Sequence, residues 1–354
     1  MSITQATAQL KGYLMQEYHG IYFFFHNENY KKIKNIKLEA KLEDIEIEYL
    51  DNSKDYIQVK TTENIGDVKF HSAAFKKGMG TLENAYVKSL EEGVSINRII
   101  YANNMINQGV PRITEKIKNG LEENFILPFL SLSEEEREKL CSYLENDIDG
   151  DFKSKLHISR VDDSYYLQPT KVLRELEIFL DKLELKIVKE NLFNNLKVLF
   201  LENGIKRKEV ITPKRVAWIF LKRVSTSYNI LTKFDDIFNE ELDEIGYCDG
   251  IEDLLTEESL LSMIEENSDY IEIYQHYEAI EIRFEILNGK IKKSNRKKFI
   301  LQGAKEFLDK NYLFLEEKYT SEEKMLIYAV LFFFVGKKKK ENRKIYNEFL
   351  LNEK

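Results

Sequence analysis

Near the start of the chain apolar residues recur at intervals of four. Leu10, Leu14, Tyr18 and Tyr22 line one side of a predicted helix over residues 4–22, with Gly12, Gln16 and Gly20 as a small, polar stripe beside them. From Ile33 the period drops to two. Ile36 and Leu38 lead into a strand over 44–49, a turn at Asp51, Asn52 and Ser53, and a strand over 56–60, together a β-meander that ends in a hairpin. A helical pattern returns over 75–91, and 96–101 (INRIIY) reads as the next strand. Helices are expected around 111–146, where Ser133 and Glu136 have capping-box spacing, and a short strand over 155–159 precedes Val161, Asp162 and Asp163.

Beyond about residue 168 strand signals fade. Thr212 followed by Pro213 marks a helix start, and Thr320 with Glu323 repeats the capping-box spacing ahead of a long apolar run. The pattern therefore predicts an α/β N-terminal domain over residues 1–165 and a mainly α-helical region over 166–354. Residues 327–335 are apolar around the whole helix, which calls for burial on all sides, as a central core helix or as a contact between subunits.

Composition supports this picture: 354 residues with only 15 Gly and 4 Pro leave few breaks for long helices. The two cysteines, Cys141 and Cys248, exclude a disulfide framework and any multi-cysteine metal site, and they suit a reducing cytoplasm. The start of the chain has no signal-peptide pattern, and the longest apolar run is nine residues, too short for a bilayer, so a soluble cytoplasmic protein with no membrane partner is expected. A net charge of −8 argues against coating nucleic acid through bulk charge but leaves local basic patches open.

Several chemistries find no support. Neither a GxxxxGK[ST] nor a GxGxxG phosphate loop occurs, and there is no GxSxG elbow. The five histidines (His19, His26, His71, His157, His276) show no zinc-hydrolase spacing. What remains is a convergence on the meander. Asp44 opens one strand, and Gln58 and Lys60, two apart on the next, project from one face. A carboxylate, an amide oxygen and an ammonium suit a hard Mg²⁺ ion (or Mn²⁺) and a phosphate group undergoing hydrolysis.

Asp44 with Gln58-Val59-Lys60 resembles the Gln-x-Lys branch of the PD-(D/E)xK nuclease superfamily. The N-terminal part is similar, in particular, to the double-strand DNA endonuclease domain of bacterial anti-phage effectors. That domain is fused to cyclic-oligonucleotide sensors in CBASS-type systems and works with an SMC-like ATPase in Lamassu systems. The similarity includes Gly12-Tyr-Leu-Met-Gln16 on the first helix, Glu39 upstream of Glu43-Asp44-Ile45, and Gln58-Val59-Lys60. It implies a restriction-endonuclease-like fold with Asp44, Gln58, Lys60 and Glu39 as the catalytic set and Gln16 and Glu43 in support. Asp44, Gln58 and Glu39 would ligate Mg²⁺, and hydrolysis would leave a 5′-phosphate and a 3′-hydroxyl. In this chain the first acid of the pair is Glu43 rather than Asp, and Glu39 stands five residues before Asp44.

The resemblance further implies a defence effector restrained by partner proteins, an SMC-like ATPase complex foremost, and active as a homo-oligomer. A non-catalytic scaffold subunit and a sequence-specific restriction endonuclease are the alternatives. Two basic clusters in the helical half are candidate phosphate contacts or simply solvated faces. One is Lys206, Arg207 and Lys208; the other is Lys290, Lys292, Lys293, Arg296, Lys297 and Lys298. A third basic run occupies 337–340.

Overall fold

The structure is a computed structural model and describes residues 3–60, 73–103, 126–142, 150–159, 170–225, 270–310 and 320–350. His71, Val161 to Asp163, Cys248 and most of the helical pattern expected over 111–146 lie outside the described residues. The chain divides into two compact units, Met1–Glu184 with Val188–Pro213, and Leu185–Ile187 with Lys214–Lys354. The first unit thus takes in the helices that follow residue 165, and the expected border near 165 falls inside it.

In the first unit α1 (Ile3–Phe25) leads through a 3₁₀ turn into β1 (Ile33–Leu38), β2 (Ile45–Tyr49) and β3 (Lys54–Lys60). Then come α2 (Ala73–Glu91), β4 (Ile96–Asn103), β5 (Ile126–Pro128), α3 (Glu134–Cys141), α4 (Gly150–Lys155) and β6 (Leu156–Ser159). The helices α5 (Thr170–Lys182) and α6 (Lys189–Val198), the latter running on into a π-helical turn, complete it. The six strands form one mixed sheet in the order β1-β2-β3-β4-β6-β5. The meander pairs antiparallel, β3–β4 and β4–β6 pair parallel, and β5 returns antiparallel on the far edge. β5 was not expected: three residues ending in proline give too short a period-two pattern to stand out.

Alternation along β3 decides what lies on each face. Tyr56 packs with Phe75, Met79, Leu82 and Tyr86 of α2, and its hydroxyl accepts a hydrogen bond from Ser89 at 2.8 Å. Gln58 and Lys60 share that parity. Asp55 has the opposite parity and is fully buried, accepting from Arg98 Nε at 2.9 Å, Asn97 Nδ2 at 2.9 Å and Tyr49 Oη at 2.5 Å. Burial works against the Arg98 charge, but Asp55 and Tyr49 outweigh it and hold its pKa above the ordinary range.

α1 is buried on more than its apolar side. Glu17 is 1% exposed, and neither of its carboxylate oxygens has a hydrogen-bond partner among the described residues. Burial pushes its pKa up to about 8 against the opposing pull of Lys197. His19, fully buried with Nδ1 on the Met15 carbonyl at 2.7 Å, is pushed down to about 4 by burial and stays neutral.

The second unit is helical: α7 (Pro213–Ser225), α8 (Tyr270–Asn288), α9 (Arg296–Lys310), α10 (Ser321–Lys337) and α11 (Lys339–Leu350). α7 and α10 begin where Pro213 and Thr320 signalled. α10 is the core of this unit. Ile327, Phe332, Phe333 and Val335 are at most 1% exposed, and Phe332 meets Tyr277 of α8 and Phe307 of α9. The apolar run is therefore core and not the subunit contact considered above.

Two predictions follow from burial. Phe333→Asp places an unpaired carboxylate in this core, at a cost of several kcal/mol, and should abolish the cooperative melt of the second unit by circular dichroism. For Glu17 the folded form keeps a proton that the unfolded chain releases near 4.5, so stability is full below that pH and declines as pH rises toward about 8. Glu17→Gln removes this penalty. Urea denaturation should show it more stable than wild type at pH 8, by on the order of a few kcal/mol, with the gap closing toward pH 5.

Candidate active site

The site forms where the start of β2 meets the end of β3. Asp44 is the residue before β2 rather than its first, since regular pairing begins at Ile45 with Ile57. The offset matters: an acid just ahead of the strand turns its side chain across the neighbouring one. Asp44 Oδ2 accepts a hydrogen bond from the Val59 backbone N–H at 2.8 Å and a short one from Gln58 Nε2. Burial raises the pKa of Asp44; the Val59 N–H, the Lys60 charge and Gln58 work in the opposite direction, while the Glu39 charge adds to the rise.

Glu39 follows β1 in a left-handed backbone conformation (φ 48°), and its N–H donates to the Asp44 carbonyl at 2.7 Å, closing the connection into a tight bend. That bend brings Glu39 to α1, where Gln16 Nε2 donates to Glu39 Oε1 at 2.6 Å. Gln16 is itself 5% exposed. Glu43 is 3% exposed, and neither carboxylate oxygen meets a hydrogen-bond partner among the described residues. Burial, and then the Asp44 charge, push its pKa up to about 8, against the pull of Lys60. Lys60 is half-buried at the end of β3 and packs its stem over α2 at Gly78.

All six residues expected at the site thus come together: Asp44, Gln58 and Lys60 at the strand ends, Glu43 beneath them, and Glu39 with Gln16 on the flank. The observed Gln58–Asp44 contact is a hydrogen bond through the amide nitrogen. A cation at Asp44 would need the amide turned so that Oε1 faces it, the isosteric alternative for such a side chain. Among the described residues no group of three or more His, Cys, Asp or Glu side chains is arranged to hold a metal. The donor set fits a hard ion that takes one carboxylate, one amide oxygen and several waters, and beside it the two Glu43 oxygens are buried without hydrogen-bond partners among the described residues.

Parts of the basic clusters are engaged within their own units. Lys206 pairs with Glu202 at 2.5 Å one turn back, while Arg207 and Lys208 are exposed. In the second unit Lys290, Lys292, Lys293 and Lys298 are exposed and Lys297 is half-buried. The Arg296 guanidinium lies 5.6 Å above the Phe333 ring, so part of that cluster packs the helical core. In the run 337–340, Lys337 caps the same ring at 5.0 Å and Lys339 pairs with Glu281.

Two contributors escaped the sequence reading. Gly78 stands where a Cβ would lie 2.8 Å from the Tyr101 ring and 3.4 Å from Lys60 Cε, so its smallness lets β3 and β4 approach α2. The Asp55–Arg98 pair at the other end of β3 is the second, and its signal was an arginine among the isoleucines of 96–100. Comparisons with protein-family models, curated proteins and solved structures return no match for this chain.

The two glycines of α2 make a paired prediction. Gly80 has nothing within 4 Å of a built Cβ, so Gly80→Ala should raise stability by about 0.5–1 kcal/mol through helix propensity alone. Gly78→Ala should instead lose about 1–3 kcal/mol to crowding, and the thermal midpoints of the two variants should move in opposite directions.

Proposed function

We propose that the chain is a metal-dependent double-strand DNA endonuclease, with Asp44, Gln58 and Lys60 as its catalytic residues. The observation that carries this reading is the joining of an acid, an amide and an ammonium at two adjacent strand ends. There Asp44 Oδ2 is held by both the Val59 N–H and Gln58. The six-stranded mixed sheet followed by a helical region agrees with the resemblance drawn from the sequence.

In this reading Asp44 and the Gln58 carbonyl oxygen hold Mg²⁺, or Mn²⁺ in its place, with Glu39 as a further ligand at the rim. The ion, when bound, supplies Lewis acidity at a phosphate oxygen and at the water that attacks it. Lys60 donates to the attacking water or to the non-bridging phosphate oxygens, where negative charge grows in the transition state. The Val59 N–H fixes the Asp44 carboxylate in place, so little reorganisation is needed when substrate arrives. Gln16 holds Glu39 back toward α1, and Glu43 lies underneath as a buried acid. The substrate is duplex DNA, and the setting is a bacterial anti-phage system in which partner proteins, an SMC-like ATPase complex foremost, restrain and trigger the nuclease.

The test is cleavage of supercoiled plasmids of unrelated sequence in Mg²⁺, with and without neighbouring gene products. Asp44→Ala and Lys60→Ala should fold as wild type yet lose cleavage by at least about 10²-fold, with Lys60→Ala leaving DNA affinity nearly unchanged. Glu39→Ala should be milder. A well-folded, fully active Lys60→Ala protein would refute the site, and cleavage at one sequence only would favour a restriction enzyme instead.

A further inference from the structure

The end of the β2–β3 hairpin away from the candidate active site borders a cavity of about 490 Å³. Lys31 and Lys32 line it from the end of the 3₁₀ turn, Leu50 and Asp51 from the hairpin turn, and Asn97 and Arg98 from the start of β4. That volume falls in the range, roughly 300–1,000 Å³, of pockets that take a small organic ligand. Its cations are only partly engaged. Arg98 directs Nε and Nη2 at Asp55, at 2.9 and 2.5 Å, and Nη2 also at Tyr49 at 2.9 Å. Its Nη1 has no partner among the described residues. Lys32 is exposed, and its ammonium has none among them either, whereas Lys31 is paired with Glu28 at 2.6 Å. A guanidinium fixed from behind by a buried carboxylate, with an ammonium on the same cavity, is the donor set that recognises a phosphate group.

The rest of the lining indicates what carries the phosphate. Asp51 is exposed, and its Oδ1 accepts from the Ser53 hydroxyl at 2.6 Å and the Ser53 N–H at 2.9 Å. Those bonds hold its pKa below the ordinary carboxylate value, so it is ionised at neutral pH. A bare inorganic anion meets this carboxylate as a like charge, whereas a phosphate ester that carries hydroxyl groups can donate to it. Leu50, 48% exposed on the same cavity, offers apolar surface to a ring. A nucleic-acid strand would bring further phosphates toward Asp51 and toward Glu28, which is also exposed. A single small phosphate ester avoids that repulsion.

We propose that this cavity binds a free nucleoside monophosphate, with Arg98 and Lys32 on the phosphate, Asp51 on the ribose hydroxyls and Leu50 against the base. Arg98 then serves two anions at once, the buried carboxylate of Asp55 that holds it in place and the ligand that enters from solvent. The proposal stands apart from the nuclease reading, because it rests on no residue of that site.

Isothermal titration calorimetry of the full chain with AMP tests it. Wild type should show one saturable site per chain, from which inorganic phosphate displaces AMP only at higher concentration. Lys32→Glu, at an exposed position, should melt as wild type while binding AMP about tenfold more weakly or worse. Asp51→Asn keeps an oxygen for the Ser53 turn; it should weaken AMP several-fold and leave inorganic phosphate bound no more weakly than before. Lys60→Ala should bind AMP as wild type does, so that failure of either reading leaves the other standing. No saturable AMP binding at millimolar concentration, full AMP affinity in Lys32→Glu or in Asp51→Asn, or loss of AMP binding in Lys60→Ala would each overturn the proposal. So would a 5′-phosphorylated oligonucleotide that binds more tightly than AMP and depends on Lys32, since it would assign the cavity to a strand end.

Discussion

The buried ion pair between Asp55 and Arg98 sets the register on which the rest of the first unit depends. Asp55 is fully buried at the start of β3, and a carboxylate there is tolerable only with donors on several sides. The β3–β4 pairing slips at this point: Lys54 opposes Ile96 and Asp55 opposes Arg98, so Asn97 is the extra residue of a bulge. That bulge lets two consecutive residues of β4 donate to one carboxylate. A shift of one residue would leave the charge unpaired and exchange the two faces of β3. Tyr56 would then leave α2, and Gln58 and Lys60 would leave the side on which Asp44 reaches them. An ion pair at one end of a seven-residue strand thus fixes which groups meet at the other, about 10–17 Å along the strand.

Against that anchoring, the chain tolerates an unusual amount of unsatisfied acid. Glu17 and Glu43 are both buried without hydrogen-bond partners among the described residues, and both have pKa values pushed up to about 8. Each remains a neutral acid at neutral pH, since protonation is less costly than a bare buried charge. The two differ in their neighbours. Glu17 faces the distant charge of Lys197, whereas Glu43 sits between Asp44 and Lys60, where any cation gained or lost by the site would be felt. Local rules are broken most often where a structure serves something other than its own stability, and the start of β2 is where the proposed site lies.

How far the sequence foretold this arrangement depends on the range of the interactions involved. The meander, α2, β4 and β6 were legible because their periods are local, and so was the meeting of Asp44 with Gln58 and Lys60, which hairpin geometry alone requires. The extension of the first unit to Pro213 was not legible. α5 and α6 pack on α1, a contact between segments more than 140 residues apart that leaves no local periodicity; His26 of the 3₁₀ turn meets Glu175 of α5 at 3.1 Å. Gly78 was equally hidden, because its role is defined by the Tyr101 ring and the Lys60 stem rather than by its own helix.

The helical unit shows how apolar residues divide between core and contact. The run 327–335 drew attention because it is the most hydrophobic segment of the chain, yet a segment apolar on every side has no face left to offer solvent before assembly. Its place is interior, with aromatic partners around Phe332 and the charged ends of Arg296 and Lys337 over the Phe333 ring. A surface that waits for a partner must instead be amphipathic, apolar enough to dock and polar enough to stay in water alone. On α8 the buried aromatics face one way, and Ile282 and Ile286 stand exposed on the other side. Only the burial of the opposite face reveals that the helix has two apolar sides rather than one.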